Sequence, residues 1–179
     1  MGRELRMVHP DWEHPTDGFY NNGAPRYVPL FQGYNKAVSA WDENFAQWRN
    51  GFKESWLPGT SKWVPHGTPC GESIAKDLES FTNWYGAPPT ADQYMPEWAP
   101  NEATKLVMYE DTSEGTPISP KFDTPEELAQ WLADTGASAF GSMTASYESW
   151  LATIKQGYSV GDVIDVGGEL VSGVEANNR

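Results

Sequence analysis

From Tyr34 to about Lys53 the apolar positions Tyr34, Val38, Trp41, Phe45, Trp48 and Phe52 recur at alternating steps of four and three. That spacing places them on one stripe of a helix, with Lys36, Asp42, Glu43, Gln47 and Arg49 turned to water. A stripe so rich in rings is read as core-facing, with a partner surface as the sharper alternative. Gly51 weakens the last turn and Pro58-Gly59 ends the segment. A second, shorter helix is predicted over Ser73 to Trp84, with Ile74, Leu78 and Phe81 inward and Gly86 as its stop.

The C-terminal half is more regular. Lys105 to Glu110, KLVMYE, is a strand candidate. Thr124-Pro125-Glu126-Glu127 carries a capping box, with Thr at the N-cap, Pro at the first helical position and Glu at the third. The helix it opens runs through Leu128, Trp131 and Leu132 to Gly136. Another helix opens at Thr144-Ala145-Ser146-Tyr147-Glu148, puts Tyr147, Trp150, Leu151 and Ile154 on one face, and closes at Gly157. Asp162 to Val174 reads as a hairpin around Gly167-Gly168, a pair suited to positive φ.

Two stretches carry no period. In residues 1–33, Pro10, Pro15, Pro25 and Pro29 forbid a helix, and Asn21-Asn22-Gly23 offers a turn. This stretch is expected to be an irregular N-terminal arm, pinned by Trp12, Phe19, Tyr20 and Tyr27, with Arg26 to Phe31 able to form a short edge strand. Residues 86–100, GAPPTADQYMPEWAP, form a proline-rich connector that is long for a structureless loop. Tyr94, Met95 and Trp98 are therefore expected to plug into the core; the alternative is a recognition loop in which these three residues bind a partner. The pattern as a whole predicts an α+β fold, a single compact domain over 34–179 with several short helices and a small antiparallel sheet, preceded by the arm.

Composition sharpens this picture in three ways. The 179 residues include nine Trp, and aromatics make up 13%, so the core is expected to be built on large rings. The net charge of −13 arises from 25 acidic residues against 12 Lys plus Arg, with no basic patch, so direct nucleic-acid binding is not expected. Mimicry of DNA is a weaker reading too, because no block of five or six acidic residues occurs. One cysteine rules out an internal disulfide and fits a reducing compartment. MGRELRMVHP has neither the apolar run of a signal peptide nor the Ser or Thr of a myristoylation signal at Arg6, and no stretch is apolar enough to span a membrane.

Candidate chemistry is sparse. His9 and His14 are spaced H-x4-H, and His66 and Cys70 are spaced H-x3-C. Three imidazoles and a thiolate are a legitimate tetrahedral zinc set, with Asp11 or Asp17 able to replace one ligand. Zinc loops more often use paired cysteines, and packing beside Pro or Gly explains each histidine as well. A catalytic zinc would want an open position beside a general base, for which Glu13 is the obvious candidate. Thr112 to Pro120 is rich in hydroxyls and could cradle an anion, yet it lacks the spaced glycines and the lysine of a phosphate loop, and turn and cap formation is its simpler role. No nucleophile elbow is present, and no histidine follows residue 66. A Cys70–His66 dyad would need a sharp turn. An enzyme is the less supported class.

HPDWEHPTDGFY followed by RYVPLF, then YMPEW, MYEDTSEGTPISPKFDTPEELAQWLADTGASAFG and MTASYESWLATI, resembles a group of small proteins encoded by tailed bacteriophages. The resemblance runs from about residue 8 to 156 and is strongest over Met108 to Ile154. It implies a viral origin and synthesis in a bacterial cytoplasm, and it supplies no catalytic residues. The expected function is binding of a host bacterial protein during infection, for takeover or for inhibition of a defence system. A virion-associated accessory or decoration protein, self-associating through the arm, is the second expectation, and a zinc-binding protein or enzyme the third.

Overall fold

The first strand of this protein forms from a segment that hides its pattern. In GRELRMV the inward positions include two arginines, so hydrophobic alternation is absent; yet Arg3 and Arg6 are buried along with Val8, while Met7 is exposed. A computed structural model of the chain describes residues 2–55, 62–65, 76–111, 115–164, 168 and 170–178. In chain order its elements are β1 (Arg3–Val8), β2 (Thr16–Phe19), β3 (Pro25–Tyr27), α1 (Tyr34–Arg49), β4 (Phe52–Glu54), β5 (Trp63–Pro65), α2 (Leu78–Tyr85), a 3-10 turn (Ala91–Gln93), β6 (Lys105–Glu110), β7 (Thr116–Pro117), α3 (Pro125–Asp134), α4 (Tyr147–Gln156), β8 (Tyr158–Ser159), β9 (Asp162–Ile164), β10 (Leu170–Ser172) and α5 (Gly173–Ala176). The class is α+β with antiparallel sheets, as expected. The chain divides into two compact units, residues 1–31 with 97–179, and residues 32–96.

The first unit is built on a four-stranded antiparallel sheet in the order β7-β6-β1-β8. Residues 1–33, expected as an irregular arm, therefore supply an inner strand: β1 pairs with β6 from Arg3↔Glu110 to Val8↔Lys105, and with β8 at Arg3↔Ser159 and Glu4↔Tyr158. The expected edge strand over Arg26 to Phe31 is shorter, and Pro25–Tyr27 pairs with β2 in a separate hairpin. Because side chains alternate across a strand, Leu5, Leu106 and Met108 share one face and Arg6, Val107 and Tyr109 the other. The first face meets Leu128, Leu132, Trp150, Ile154 and Val174, from α3, α4 and α5. In that layer α3 and α4 start as their sequences dictate. Thr124 Oγ1 accepts from Glu127 N at 3.2 Å while Glu127 Oε2 accepts from Thr124 N at 3.2 Å, and Ser146 Oγ accepts from Ser149 N. The C-terminal hairpin is present as β9 and β10, but Val174 turns into α5 rather than extending the strand.

Arg3 lies on the helix-covered face and is 1% exposed. It donates from Nε to Ser138 O at 2.8 Å, from one terminal nitrogen to Ser138 Oγ at 3.0 Å and from the other to Gly2 O at 3.0 Å. Burial pulls its pKa down, and the negative charges of Glu110 and Asp111 act against that pull.

The second unit packs rings on rings. Trp41, Phe45 and Trp48 of α1 surround Phe81 of α2 at centroid distances of 4.9, 5.1 and 5.8 Å. The stripe predicted from Tyr34 onward is real, but the helix ends at Arg49. Gly51, at φ 91°, then turns the chain into β4, and Phe52 leaves the stripe. In α2, Phe81 is fully buried as expected, whereas Leu78 is half exposed rather than inward. The helix starts later than Ser73 because Asp77 caps it, accepting from Ser80 N at 2.7 Å. Ile74 falls outside the described residues, as do Pro58-Gly59 and Gly167. Among the described residues no helix is long and apolar enough to cross a membrane.

Candidate binding cleft

The second face of the four-stranded sheet is covered by the chain that leaves β1. Proline at 10, 15, 25 and 29 keeps this chain extended, so it lies across the strands instead of coiling beside them. Lys121 fixes its start: Nζ donates to Pro10 O at 2.9 Å, to Trp12 O at 2.8 Å and to Glu13 Oε1 at 2.7 Å. Its end is fixed at Leu30, which donates from N to Gly115 O at 3.3 Å and accepts from Arg6 at 2.8 Å. Gly115 has φ 52°, and a Cβ there would stand 2.0 Å from Leu30 O, so only glycine allows this approach.

Between these ties sits a layer of rings. Trp12 meets Trp98 edge to face at 5.3 Å, and His14 meets Tyr27 edge to face at 5.4 Å and Tyr109 at 5.6 Å. The Arg6 guanidinium lies over the Tyr109 ring, 4.4 Å from its centroid, and donates to Glu4 Oε2 at 3.0 Å. His14 Nε2 is 2.7 Å from Val28 O, and Nδ1 is 3.2 Å from Tyr109 Oη. A carbonyl can only accept, so Nε2 carries the proton and Nδ1 accepts from the Tyr109 hydroxyl. Burial lowers the His14 pKa first, with Arg6 adding to that effect and the Val28 carbonyl opposing it, so the ring is neutral at pH 7. Burial likewise raises the Tyr109 pKa. The indole N–H of Trp12 lies close enough to the Tyr109 oxygen to favour its ionised form. Its geometry falls short of a hydrogen bond, which leaves that buried N–H without a partner.

Next to this layer a cleft of about 640 Å³ opens. Its walls are Trp12, Glu13 and His14 from the covering chain, Tyr20, Pro25 and Tyr27 from the β2–β3 hairpin, Val107 and Tyr109 from β6, Thr116 to Lys121 from β7 and the chain after it, and Trp131 from α3. Its volume lies within the range of sites that take a drug-sized molecule or a few residues of peptide. Phe19 and Tyr20, at the hairpin tip, are 72% and 58% exposed.

The residues picked out in the sequence fall in different places. His14 uses both ring nitrogens on protein partners, and His9 Nδ1 accepts from Asp11 N at 3.1 Å. His66 and Cys70, the other half of the zinc set, lie outside the described residues, as do Thr112, Ser113 and Glu114 of the hydroxyl-rich loop. Among the described residues no group of three or more His, Cys, Asp or Glu is placed to hold a metal. Tyr94 packs at a tilt against Tyr34, with ring centroids 5.5 Å apart, and Met95 is buried, both in the second unit, while Trp98 packs on Trp12 in the first. The connector's rings are thus engaged within the chain. The wall formed by Tyr109, Pro117 and Lys121 was not anticipated; the signal available was the two-residue period of a strand over KLVMYE, which puts Val107 and Tyr109 on one face.

No family model, curated protein or solved structure matches this chain.

Proposed function

We propose that this chain is a small phage protein that acts by binding a host bacterial protein in the host cytoplasm during infection, as a takeover factor or an inhibitor of a defence system. The observation that carries this reading is the open aromatic cleft with Tyr20 in its wall, preceded in the same hairpin by a second ring in solvent, Phe19. Rigid exposed aromatics beside a pocket are the anchors from which interface hot spots are made. The phage origin rests on the sequence resemblance over residues 8 to 156. A virion-associated role draws less support, because the arm meant to reach a neighbouring subunit supplies β1 to its own sheet. An enzyme built on zinc draws less as well, since both His14 nitrogens are engaged.

The test compares a tagged wild-type chain with the double variant Phe19→Ala/Tyr20→Ala, each used to retrieve proteins from lysate of the infected bacterium. A host protein held by the first and lost by the second is the expected result. Equal retrieval by both, or none by either, sinks the proposal.

A further inference from the structure

A second hollow, a shallower trough of about 710 Å³, shares Lys121 and Trp131 with the aromatic cleft as common walls. Its remaining lining is of another kind. Asp123, Glu126, Glu127 and Asp134 all contribute carboxylates, with Phe122 and Tyr147 between them. Two of these acids have local duties: Glu127 completes the cap of α3, and Asp123 pairs with Lys105. Glu126 and Asp134 stand exposed on α3 on either side of Trp131 in sequence, with Asp134 accepting from Gln130 at 2.8 Å. Lys121, the cation common to both hollows, is turned toward Pro10, Trp12 and Glu13.

From this arrangement we infer that cleft and trough form one continuous docking surface for an extended, basic segment of a partner protein. An apolar or aromatic side chain of that segment seats among Trp12, Tyr20, Tyr27 and Pro117. A lysine or arginine follows into the trough, whose lining includes Trp131 with Glu126 and Asp134. The Trp131 ring and the negative field of the trough's carboxylates both favour positive charge there. The overall charge of −13 adds long-range attraction for a basic segment. That charge also disfavours the other simple occupant, a second copy of this chain, since two copies repel. The inference rests on the proposed binding function and specifies its partner's chemistry.

The experiment selects binders to the purified chain from a displayed library of random dodecapeptides. Enriched peptides are expected to carry net positive charge, with Lys or Arg close to an aromatic residue or proline. Synthetic copies are expected to bind at least fivefold more weakly to Glu126→Gln/Asp134→Asn, to lose affinity to Tyr20→Ala, and to weaken as salt is raised. Both α3 substitutions are at exposed positions and preserve shape, so a far-ultraviolet dichroism spectrum like that of the wild type is expected for that variant. Enrichment of neutral or acidic peptides overturns the inference. So do unchanged affinity of the neutralised variant, failure to enrich any peptide, and a stable dimer that Tyr20→Ala dissolves. The two proposals separate cleanly in the lysate experiment. A host protein lost with Phe19→Ala/Tyr20→Ala but kept by Glu126→Gln/Asp134→Asn removes the charge inference and leaves the binding function standing.

Discussion

The two faces of the four-stranded sheet are closed by different means. On one, α3, α4 and α5 press Leu128, Leu132, Trp150, Ile154 and Val174 onto Leu106 and Met108, and packing of apolar surface does most of the holding. On the other, a proline-rich chain without helices lies over Arg6, Val107 and Tyr109, held by named polar ties: Lys121 at its start, His14 in the middle, Leu30 with Arg6 and Gly115 at its end. The first face has redundant contacts and tolerates little opening. The second depends on a few directional bonds, and local opening there costs less than unfolding the unit. The cleft lies on the second face. A binding surface belongs where the covering chain can adjust to a partner while the sheet beneath stays fixed.

Truncating the helix-covered face should have the largest effect. Trp150 is fully buried, so Trp150→Ala removes a large ring from the middle of the helix layer and is expected to cost about 3–5 kcal/mol. Urea denaturation measures this directly. A loss below about 1 kcal/mol would mean that the helix layer is not the main source of stability, and the contrast between the faces would fail.

The covering chain should respond less, and locally. Lys121→Met keeps the aliphatic stem and removes the three contacts to Pro10 O, Trp12 O and Glu13. The site is partly solvated, with Lys121 28% exposed, so the loss is expected at about 1–2 kcal/mol rather than the full value of a buried charged bond. Amide hydrogen exchange resolves where it falls. The Trp12 amide, bonded to His9 O, should exchange about 5–30-fold faster, while amides of β6 keep their protection. Equal acceleration in both places would show that the two faces open together.

These differences explain what could be read from the sequence and what could not. On the helix-covered face α3 and α4 announce themselves, because Thr124, Glu127 and Ser146 cap them with local hydrogen bonds and Leu128, Leu132, Trp150 and Ile154 repeat at helical spacing. The strand Lys105–Glu110 is legible for the same reason, being apolar in its middle. β1 is not legible, because Arg3 and Arg6 occupy buried positions that only distant partners justify: Ser138 for one, Leu30 and the Tyr109 ring for the other. The cleft is assembled from parts of the chain far apart in sequence, with Tyr20, Tyr109, Lys121 and Trp131 on four different segments. No spacing rule links them. His14 is conspicuous in the sequence as a ligand candidate, yet its role is set by Val28 O and Tyr109 Oη, neither of which a motif would name.

The smallest effect, and the sharpest on the chain-covered face, concerns pH. Folding holds His14 neutral because burial, aided by the nearby Arg6 charge, lowers its pKa from the ordinary 6.5. Above 6.5 the ring is neutral in both folded and unfolded chains, and its titration leaves stability unchanged. As pH falls below 6.5 the unfolded chain takes up a proton that the folded chain resists, so the unfolded state gains and stability declines until the folded pKa is passed. Protonation in the folded state would also put a hydrogen on Nδ1, where the Tyr109 hydroxyl now donates, and would force that hydroxyl to turn. His14→Gln abolishes the titration while retaining an amide able to donate and accept. Its stability is expected to change less than the wild type's between pH 7.5 and about 5.5, whatever its absolute stability. Carboxylates titrate in both chains, so the difference between the two profiles isolates the histidine. If the wild-type and His14→Gln profiles run parallel through this range, His14 is not held neutral by burial. Protonation would then cost the covering layer nothing, and its polar ties would be weaker than the contrast between the faces requires.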